Sequence, residues 1–226
     1  MHLCFVNRSV AVGIISAAIA VGIAPAQVAP AKIILLVGPP GSGKTTQAKF
    51  LAKKYAIPAI SMADLLKKQM SAEKKDPVTK ALAASIASGE VLPDQAAADL
   101  VKLSLTRADH QKGFILDGFP ATAGQAKALD RLLENERLPK PVVVVLDVPD
   151  DVIRKRMLAR RRADDKPENI DRRIAEFRSQ AALLTGWAAQ TQVVRVNADT
   201  SVNEVAKKIV AGLEDAWSKQ GPKHQP

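Results

Sequence analysis

A glycine-rich loop constrains this chain more than any other feature of its sequence. The loop reads Gly38-Pro39-Pro40-Gly41-Ser42-Gly43-Lys44-Thr45 and fits the pattern G-x-x-x-x-G-K-[S/T]. The apolar run Lys32–Val37 precedes it and predicts a buried strand, and the segment Lys44–Tyr55 that follows has helical character. A strand that enters such a loop and leaves it through a helix is typical of the first unit of an α/β fold.

The residue types of this loop match the chemistry of phosphate binding. Glycines let successive backbone N–H groups converge on phosphate oxygens, and the start of the next helix adds partial positive charge. We expect Lys44 to hold the β- and γ-phosphates and Thr45 to place its hydroxyl on Mg²⁺, with Thr46 completing the loop. The alternative is a tight turn without a ligand. The loop therefore predicts a site for a nucleoside triphosphate.

Beyond the loop, strand-like and helix-like segments alternate to the end of the chain. Strands are predicted at 56–60, 113–117, 141–147 and 193–196, although Pro58 weakens the first of them. Helices are predicted at 61–70, 77–88, 94–108, 149–161, 168–189 and 202–217. The run at 141–147 is apolar without alternation, which indicates a parallel strand that is covered on both faces. The pattern predicts a three-layer α/β domain.

The charge and cysteine content narrow the classes of partner. The chain has 33 Lys and Arg against 23 Asp and Glu, a net charge of +10 that favours anionic partners. Aromatic residues make up only 4%, and the basic residues are spread along the chain, so nucleic acid is not the expected partner. The single cysteine, Cys4, excludes an intramolecular disulfide and any Cys-rich zinc site.

The first part of the chain resembles a targeting signal. No charged residue occurs from Ser9 to Ala31, Arg8 precedes this stretch, and Ala24-Pro25-Ala26 offers small residues for cleavage. This pattern predicts a secretory signal peptide at 1–26 and an exported, periplasmic or extracellular, protein. An uncleaved membrane anchor is an alternative, although the apolar run is short for a span. A misassigned start and a cytoplasmic protein is another.

Further segments resemble those that recur, in this order, in nucleoside monophosphate kinases. They are Ile60–Lys67 (ISMADLLK), Ser88–Asp94 (SGEVLPD), Gly113–Pro120 (GFILDGFP) and Arg162–Glu168 (RADDKPE) before Arg172-Arg173. From about residue 32 to 215 the chain therefore resembles the adenylate kinase family. The Asp-Gly-Phe-Pro segment is specific, and together with the phosphate loop it separates this family from shikimate and gluconate kinases.

The resemblance implies a P-loop kinase fold and a reaction. The expected domain, 27–220, has a five-stranded parallel sheet with helices on both faces, a small helical insertion for the acceptor monophosphate at about 61–90, and a very short lid at about 160–166. A frayed tail follows at 221–226. The implied reaction is Mg²⁺-dependent and reversible, ATP + AMP ⇌ 2 ADP, and the implied state is a monomer.

The resemblance also implies roles for individual residues. The phosphate-contacting and catalytic positions are Lys44, Arg156, Arg160, Arg162 and Arg173, with Asp117 organising the waters around magnesium. Besides the loop from Gly38 to Thr46, the ATP site includes Arg156. The positions that match the acceptor site are Ser61, Lys67, Leu92, Gly118, Gln125, Arg162 and Arg173. Among these, Gln125 matches the side chain that reads adenine, and Leu92 lies where the family presents backbone to that base.

Simpler interpretations of several of these residues stay open. Asp117 could form the turn that follows its strand, and Gln125 could be a solvated helix residue. Arg160, Arg161 and Arg162 could decorate a helix C-terminus, where cations are favoured.

The chain departs from the family at the acceptor side and at the lid. Family members carry arginine where this chain has Ala121 and Lys67, and lysine lacks the bidentate fork of arginine. Met62 and Ala63 replace the usual Thr-Gly. With no cysteine beyond Cys4, a lid that holds zinc through cysteine is excluded. These departures leave an alternative function, an ATP-binding protein on a kinase fold with weak or no transferase activity.

Overall fold

The computed structural model describes residues 30–71, 92–105, 112–161 and 165–219 of the chain. Several predicted features lie outside these residues. They are the signal-like segment 1–26, the helix at 77–88, most of the acceptor insertion, the tail at 221–226, and Arg162.

Strands and helices alternate along the described chain, as the sequence pattern predicts. The strands are β1 (Lys32–Val37), β2 (Ala59–Ser61), β3 (Gly113–Asp117), β4 (Val142–Asp147) and β5 (Gln192–Asn197). The helices are α1 (Lys44–Tyr55), α2 (Met62–Met70), α3 (Asp94–Leu105), α4 (Ala123–Asn135), α5 (Asp150–Arg160), α6 (Pro167–Ala188) and α7 (Val202–Lys219). Most predicted bounds lie close to these, and two differences have a physical reason.

The second strand is shorter than the sequence pattern predicts, and it starts later. It begins at Ala59 rather than at residue 56, because Ala56 takes a left-handed conformation (φ 52°) that ends α1. Pro58 has no N–H to donate to a neighbouring strand, and only its carbonyl accepts, from the N–H of Ile115 at 2.9 Å. The predicted strand at 56–60 is therefore wrong in its first half.

Helix α4 has no counterpart among the helices predicted from the sequence. Its N-cap is Thr122, whose side-chain oxygen accepts from the N–H of Gln125 at 3.1 Å. Apolar residues at helical spacing, such as Leu129 and Leu133, bury one face of the helix. The Thr-x-x-Gln signature followed by this spacing was a readable start signal.

The five strands form one parallel sheet in the order β2-β3-β1-β4-β5. This confirms the five-stranded parallel sheet. In the register between β1 and β3, Leu36 pairs with Asp117, so both strands end at the same level. The loops that follow β1 and β3 therefore meet at the carboxyl edge of the sheet, which is where α/β folds place their ligands.

The core has one layer on each face of the sheet. Alternate residues of β1 point to opposite sides, so that Ile34 and Leu36 pack in one apolar cluster, which includes residues of α1 and α7. Ile33 and Leu35 pack in the other cluster, with residues of α3 and α4. Because both faces of the central strands are covered, their sequences are continuously apolar. This arrangement confirms the three-layer α/β fold.

Candidate active site

A cavity of about 510 Å³ opens at the carboxyl edge of the sheet. It lies between the phosphate loop, the loop that follows β3, and helices α5 and α6. Most of the residues that the sequence predicts for the site line this cavity. They are Gly38, Pro40, Gly41, Gly43, Lys44, Thr45, Thr46, Ser61, Asp117, Gly118, Arg156, Arg160 and Arg173.

Among the predicted site residues that the structure describes, five do not line the cavity. Pro39 and Ser42 belong to the phosphate loop, and Lys67 is exposed on α2. Leu92 and Gln125 are both buried and contact each other.

The phosphate loop follows a path that only certain residues allow. Gly41 (φ 79°) and Gly43 (φ 94°) both take the left-handed conformation, which is costly for any side chain with a Cβ. Gly43 is the N-cap of α1 and has no side chain to occupy the space ahead of the helix. The first N–H groups of α1 therefore stay available to an anion from outside.

Lys44 lies across the mouth of this loop. Its ammonium donates to the carbonyl oxygens of Gly38 at 2.6 Å and Pro39 at 2.8 Å. Desolvation lowers the pKa of Lys44 from 10.5 to about 8, Asp117 opposes this shift, and the positive charges of Arg173 and Arg160 add to it. An incoming polyphosphate would place negative charge beside the ammonium of Lys44 and would therefore favour its protonated form.

The affinity for ATP is expected to fall as the pH rises above about 8, because Lys44 then loses the charge that binds phosphate. The stability of the free protein is expected to change in the opposite direction. Since an unfolded lysine keeps its proton up to about pH 10.4, unfolding takes up a proton between the two pKa values, and stability rises there. Calorimetric titration of ATP between about pH 7 and about pH 10 measures the first effect.

The Lys44→Met variant is the control for this pH dependence. It is expected to bind ATP weakly and without an inflection near pH 8. If the wild-type affinity for ATP stays constant across this pH range, the charge of Lys44 does not control phosphate binding, and the prediction is contradicted.

Thr45 and Asp117 meet beside the loop, although they are far apart in sequence. The hydroxyl of Thr45 donates to Oδ2 of Asp117 at 2.6 Å. Asp117 is 5% exposed and ends β3 directly beside β1. A hydroxyl and a carboxylate are oxygen donors of the kind that Mg²⁺ prefers, and Mg²⁺ is commonly held by one or two protein groups together with substrate phosphates. The residues present therefore fit a magnesium ion.

A buried carboxylate holds two of the cavity's arginines. Asp165 accepts from Nε and Nη2 of Arg160 at 2.5 and 2.6 Å, and Nη1 of Arg173 lies 3.9 Å from its Oδ1. The side chain of Asp165 is 1% exposed. Because Arg160 ends α5 and Arg173 lies in α6, Asp165 fixes the guanidinium groups of two helices at the same cavity. The sequence analysis did not assign Asp165 to the site.

Arg156 is held by a different segment of the chain. Its Nη2 donates to the carbonyl of Ala198 at 2.9 Å and lies 3.6 Å from Oδ1 of Asp199. Both partners belong to the turn between β5 and α7. Arg156 therefore connects the wall of the cavity to this turn.

One face of α6 contributes a wall of the cavity that the sequence analysis missed. Besides Arg173, the cavity is lined by Glu176, Phe177, Gln180 and Leu184. These positions are three, four, seven and eleven residues beyond Arg173, the spacing of residues on one face of a helix. The periodicity around Arg173 could have identified them from the sequence.

Ser61 lies at the junction of β2 and α2, whereas Lys67 is exposed on α2. Ser61 ends β2 and is the N-cap of α2, where its side chain accepts from the N–H of Asp64 at 3.4 Å. The helix therefore begins one residue later than predicted.

The side-chain amide of Gln125 is engaged at both ends. Its Nε2 donates to the carbonyl of Leu92 at 3.1 Å, and its Oε1 accepts from the N–H of Ala121 at 2.8 Å. Gln125 is 2% exposed. The alternative interpretation of Gln125 as a solvated helix residue is therefore wrong.

Comparison with known proteins points to one family. Residues 36–193 match the family model for adenylate kinase. The chain is 40% identical over 181 residues to adenylate kinase 1 of Nostoc sp., which covers 80% of this chain and 97% of that protein. It is 34% identical over 213 residues to the adenylate kinase of Thermodesulfovibrio yellowstonii, and the match covers 80% of this chain and 98% of that protein. The adenylate kinase of Leptospira biflexa serovar Patoc is 35% identical over 189 residues, with 80% and 100% covered.

Proposed function

The chain belongs to the adenylate kinase family, and we propose that its cavity catalyses ATP + AMP ⇌ 2 ADP with the phosphate loop as the donor site. The observation that carries the proposal is the convergence of Lys44, Arg160 and Arg173 on one cavity that the phosphate loop opens into. The alternative of an ATP-binding protein without transferase activity is not favoured, because relatives named adenylate kinase align over nearly their whole length.

Phosphoryl transfer asks the protein mainly for alignment and positive charge. The transferred group carries its charge on three oxygens, and the protein stabilises it without covalent chemistry. In our proposal the loop N–H groups and Lys44 bind the β- and γ-phosphates, and Arg160 and Arg173 stabilise the migrating group from the opposite side. Arg156 orients the donor. Arg162, which lies outside the described residues, stays a prediction as a further phosphate contact.

Magnesium would be held at the junction of the loop and β3. We propose that Thr45 contributes its hydroxyl and that Asp117 acts on the ion partly through water. When bound, the ion would neutralise charge on the phosphate groups of the substrate. Binding of the ion would require Thr45 to turn its proton away from Asp117, since the two groups are hydrogen-bonded to each other.

The acceptor would occupy the part of the cavity next to the loop that follows β3. Ser61 and Gly118 line it there, and Gln125 and Leu92 lie behind this loop. The cationic side chains that line the cavity lie on the phosphate loop, α5 and α6, whereas its lining at this end includes the uncharged Ala63, Pro120 and Ala121. We propose that Lys67 and Arg173 supply the positive charge for the acceptor phosphate.

Introducing arginine at this end is expected to improve acceptor binding. Ala121→Arg places a guanidinium on the cavity lining, and a hydrogen bond to a charged group contributes about 1.5–3 kcal/mol. We expect the KM for AMP to fall by about tenfold or more, with the KM for ATP unchanged. Steady-state kinetics with each substrate varied in turn measures this.

Two neighbouring variants make this test specific. Ala121→Lys should give a smaller gain, because a lysine is not bidentate, and Ala121→Gln should give none. An arginine variant with an unchanged KM for AMP would show that the acceptor phosphate lies elsewhere.

A panel of acceptors tests the proposed function. Purified protein is incubated with Mg²⁺-ATP and AMP, CMP, UMP or GMP, and diphosphates are separated by chromatography. The proposal predicts ADP from AMP, formed about 10²–10³-fold or more slowly by the Lys44→Met variant. Turnover with another monophosphate alone would change the acceptor and keep the reaction class.

The N-terminal segment and the assembly state are separate proposals. We propose that residues 1–26 direct export and are cleaved after Ala26, and that the enzyme works as a monomer, as the family resemblance implies. In the described part of the chain, no helix is both long and apolar enough to span a membrane. Mass measurement of the protein from fractionated cells tests the cleavage, and an intact residue 1 would contradict it.

A further inference from the structure

The loop that follows β3 is attached to the start of α3 by a side-chain amide. Ala121 of this loop lines the cavity, and its N–H donates to Oε1 of Gln125. Nε2 of the same amide donates to the carbonyl of Leu92, two residues before α3 begins. The wall of the acceptor side is thus tied, through one buried side chain, to the chain that returns from the acceptor insertion.

A second connection joins the same two segments. The hydroxyl of Thr122 donates to Oδ1 of Asp94 at 2.6 Å. The oxygen of that hydroxyl also accepts from the N–H of Gln125 at 3.1 Å. Asp94, Thr122 and Gln125 therefore form a continuous chain of hydrogen bonds, and we call these three residues with Leu92 the hinge latch.

The first turn of α4 is shaped to receive the carboxylate of Asp94. A Cβ added at Gly124 would lie 1.8 Å from Oδ2 of Asp94 and 2.6 Å from its Cγ, so a side chain there would displace the carboxylate. Asp94 therefore lies directly against the N-terminus of α4. The partial positive charge of a helix N-terminus favours an anion in this place.

We propose that Asp94 is a positioning residue for the acceptor, acting through Thr122 and Gln125 on the loop that contains Ala121. The proposal rests on the proposed function, because it needs the acceptor to lie against this loop. Among the hydrogen bonds of the described residues, none joins the phosphate loop to the hinge latch, so we expect a change in the latch to affect the acceptor more than the donor. A loop that shifts by about 1 Å can cost a reaction a hundredfold in rate.

Replacing Asp94 tests this proposal. In Asp94→Ala the KM for AMP is expected to rise by about tenfold, and the KM for ATP by less than about twofold. Thr122→Val should have the same selective effect, whereas Thr122→Ser, which keeps the hydroxyl, should have a KM for AMP near that of the wild type. The double variant Asp94→Ala/Thr122→Val should have a KM for AMP no higher than that of the more affected single variant. Calorimetric titration with AMP and with ATP measures the same selectivity without turnover.

The matched control is Asp99→Ala on the same helix. Asp99 is exposed, as Asp94 is, but it accepts from Nε2 of Gln95 on the same helix at 2.9 Å rather than from the loop that follows β3. Its loss should therefore change neither KM. Equal changes in both affinities, or none, in Asp94→Ala and Thr122→Val would overturn the proposal. A wild-type protein that binds both nucleotides but transfers nothing would instead contradict the proposed function, while the binding data would still decide the role of Asp94.

Discussion

Replacing Lys44 with methionine is expected to lower kcat for ADP formation by about 10²–10³-fold or more. The ammonium lies at the mouth of the phosphate loop, where it would face the charge that develops on the transferred group. Methionine has a similar length and no charge, so the loop keeps its packing. Because desolvation already lowers the pKa of Lys44 to about 8, removing the charge should leave the melting temperature unchanged or raise it.

Rates at saturating ATP and AMP, together with thermal melting, measure this prediction. Lys49→Met, which removes an exposed lysine from the same helix, is the control and should retain full activity. A Lys44→Met protein that is folded and turns over within tenfold of the wild type would mean that the cation needed for transfer comes from another residue.

Replacing Asp165 with asparagine is expected to affect both stability and catalysis. Asparagine keeps the shape but loses the charge that holds Arg160 and Arg173, and the two guanidinium groups then repel each other in a partly buried place. Breaking a buried ion pair by removing one partner typically costs about 3–5 kcal/mol. We also expect kcat to fall by about a hundredfold, because the two cations are no longer held in place.

The exposed pair between Arg154 and Asp171 provides the control for this variant. Its N–O distance, 2.5 Å, equals that of the Arg160–Asp165 pair, but its side chains are 48% and 57% exposed. Asp171→Asn should therefore change the free energy of unfolding by less than about 1 kcal/mol and leave kcat unchanged. Equal effects of Asp165→Asn and Asp171→Asn, measured by denaturant unfolding and kinetics, would contradict the special role of Asp165.

Local sequence patterns predict those parts of the fold whose structure depends mainly on the residues of one short segment. The apolar runs that became β1 and β4 are unambiguous, because both faces of these strands are buried and neither strand alternates. The phosphate loop is also predictable from its sequence, because few other structures need glycines and a lysine at this spacing. By contrast, β2 has only three residues and follows Pro58, and no pattern that short fixes its bounds.

Some roles at the site depend on which side chains the folded chain brings together, whether the partners are near in sequence or far apart. Asp165 is buried because Arg160 and Arg173 surround it, and the short segment that contains it does not reveal that arrangement. The partners of Gln125 likewise include Leu92, which is 33 residues away. Resemblance places such residues at a site, but their roles follow from contacts that only the folded chain brings together.

The acceptor side is where the sequence analysis predicts the largest departure from the family, at Ala121 and Lys67. Because the uncharged Ala121 lines the cavity, we propose that the shape of the loop that follows β3 contributes to acceptor binding besides the charge of Lys67 and Arg173. In our proposal the hinge latch fixes that shape, so variants of Asp94, although its side chain is exposed, should weaken the binding of AMP more than variants of other exposed charges on the same surface. The Ala121→Arg and Asp94→Ala variants are expected to change the KM for AMP in opposite directions, lowering it in the first and raising it in the second.

The transfer of a labelled phosphoryl group tests the central claim most directly. ATP that carries radioactive phosphorus at its γ position is mixed with unlabelled AMP, Mg²⁺ and the purified protein, and the products are separated. We expect the label to move to the β position of ADP formed from AMP, and Lys44→Met to slow this transfer by about 10²–10³-fold or more. Label that remains in ATP, or that is released only as inorganic phosphate, would contradict it.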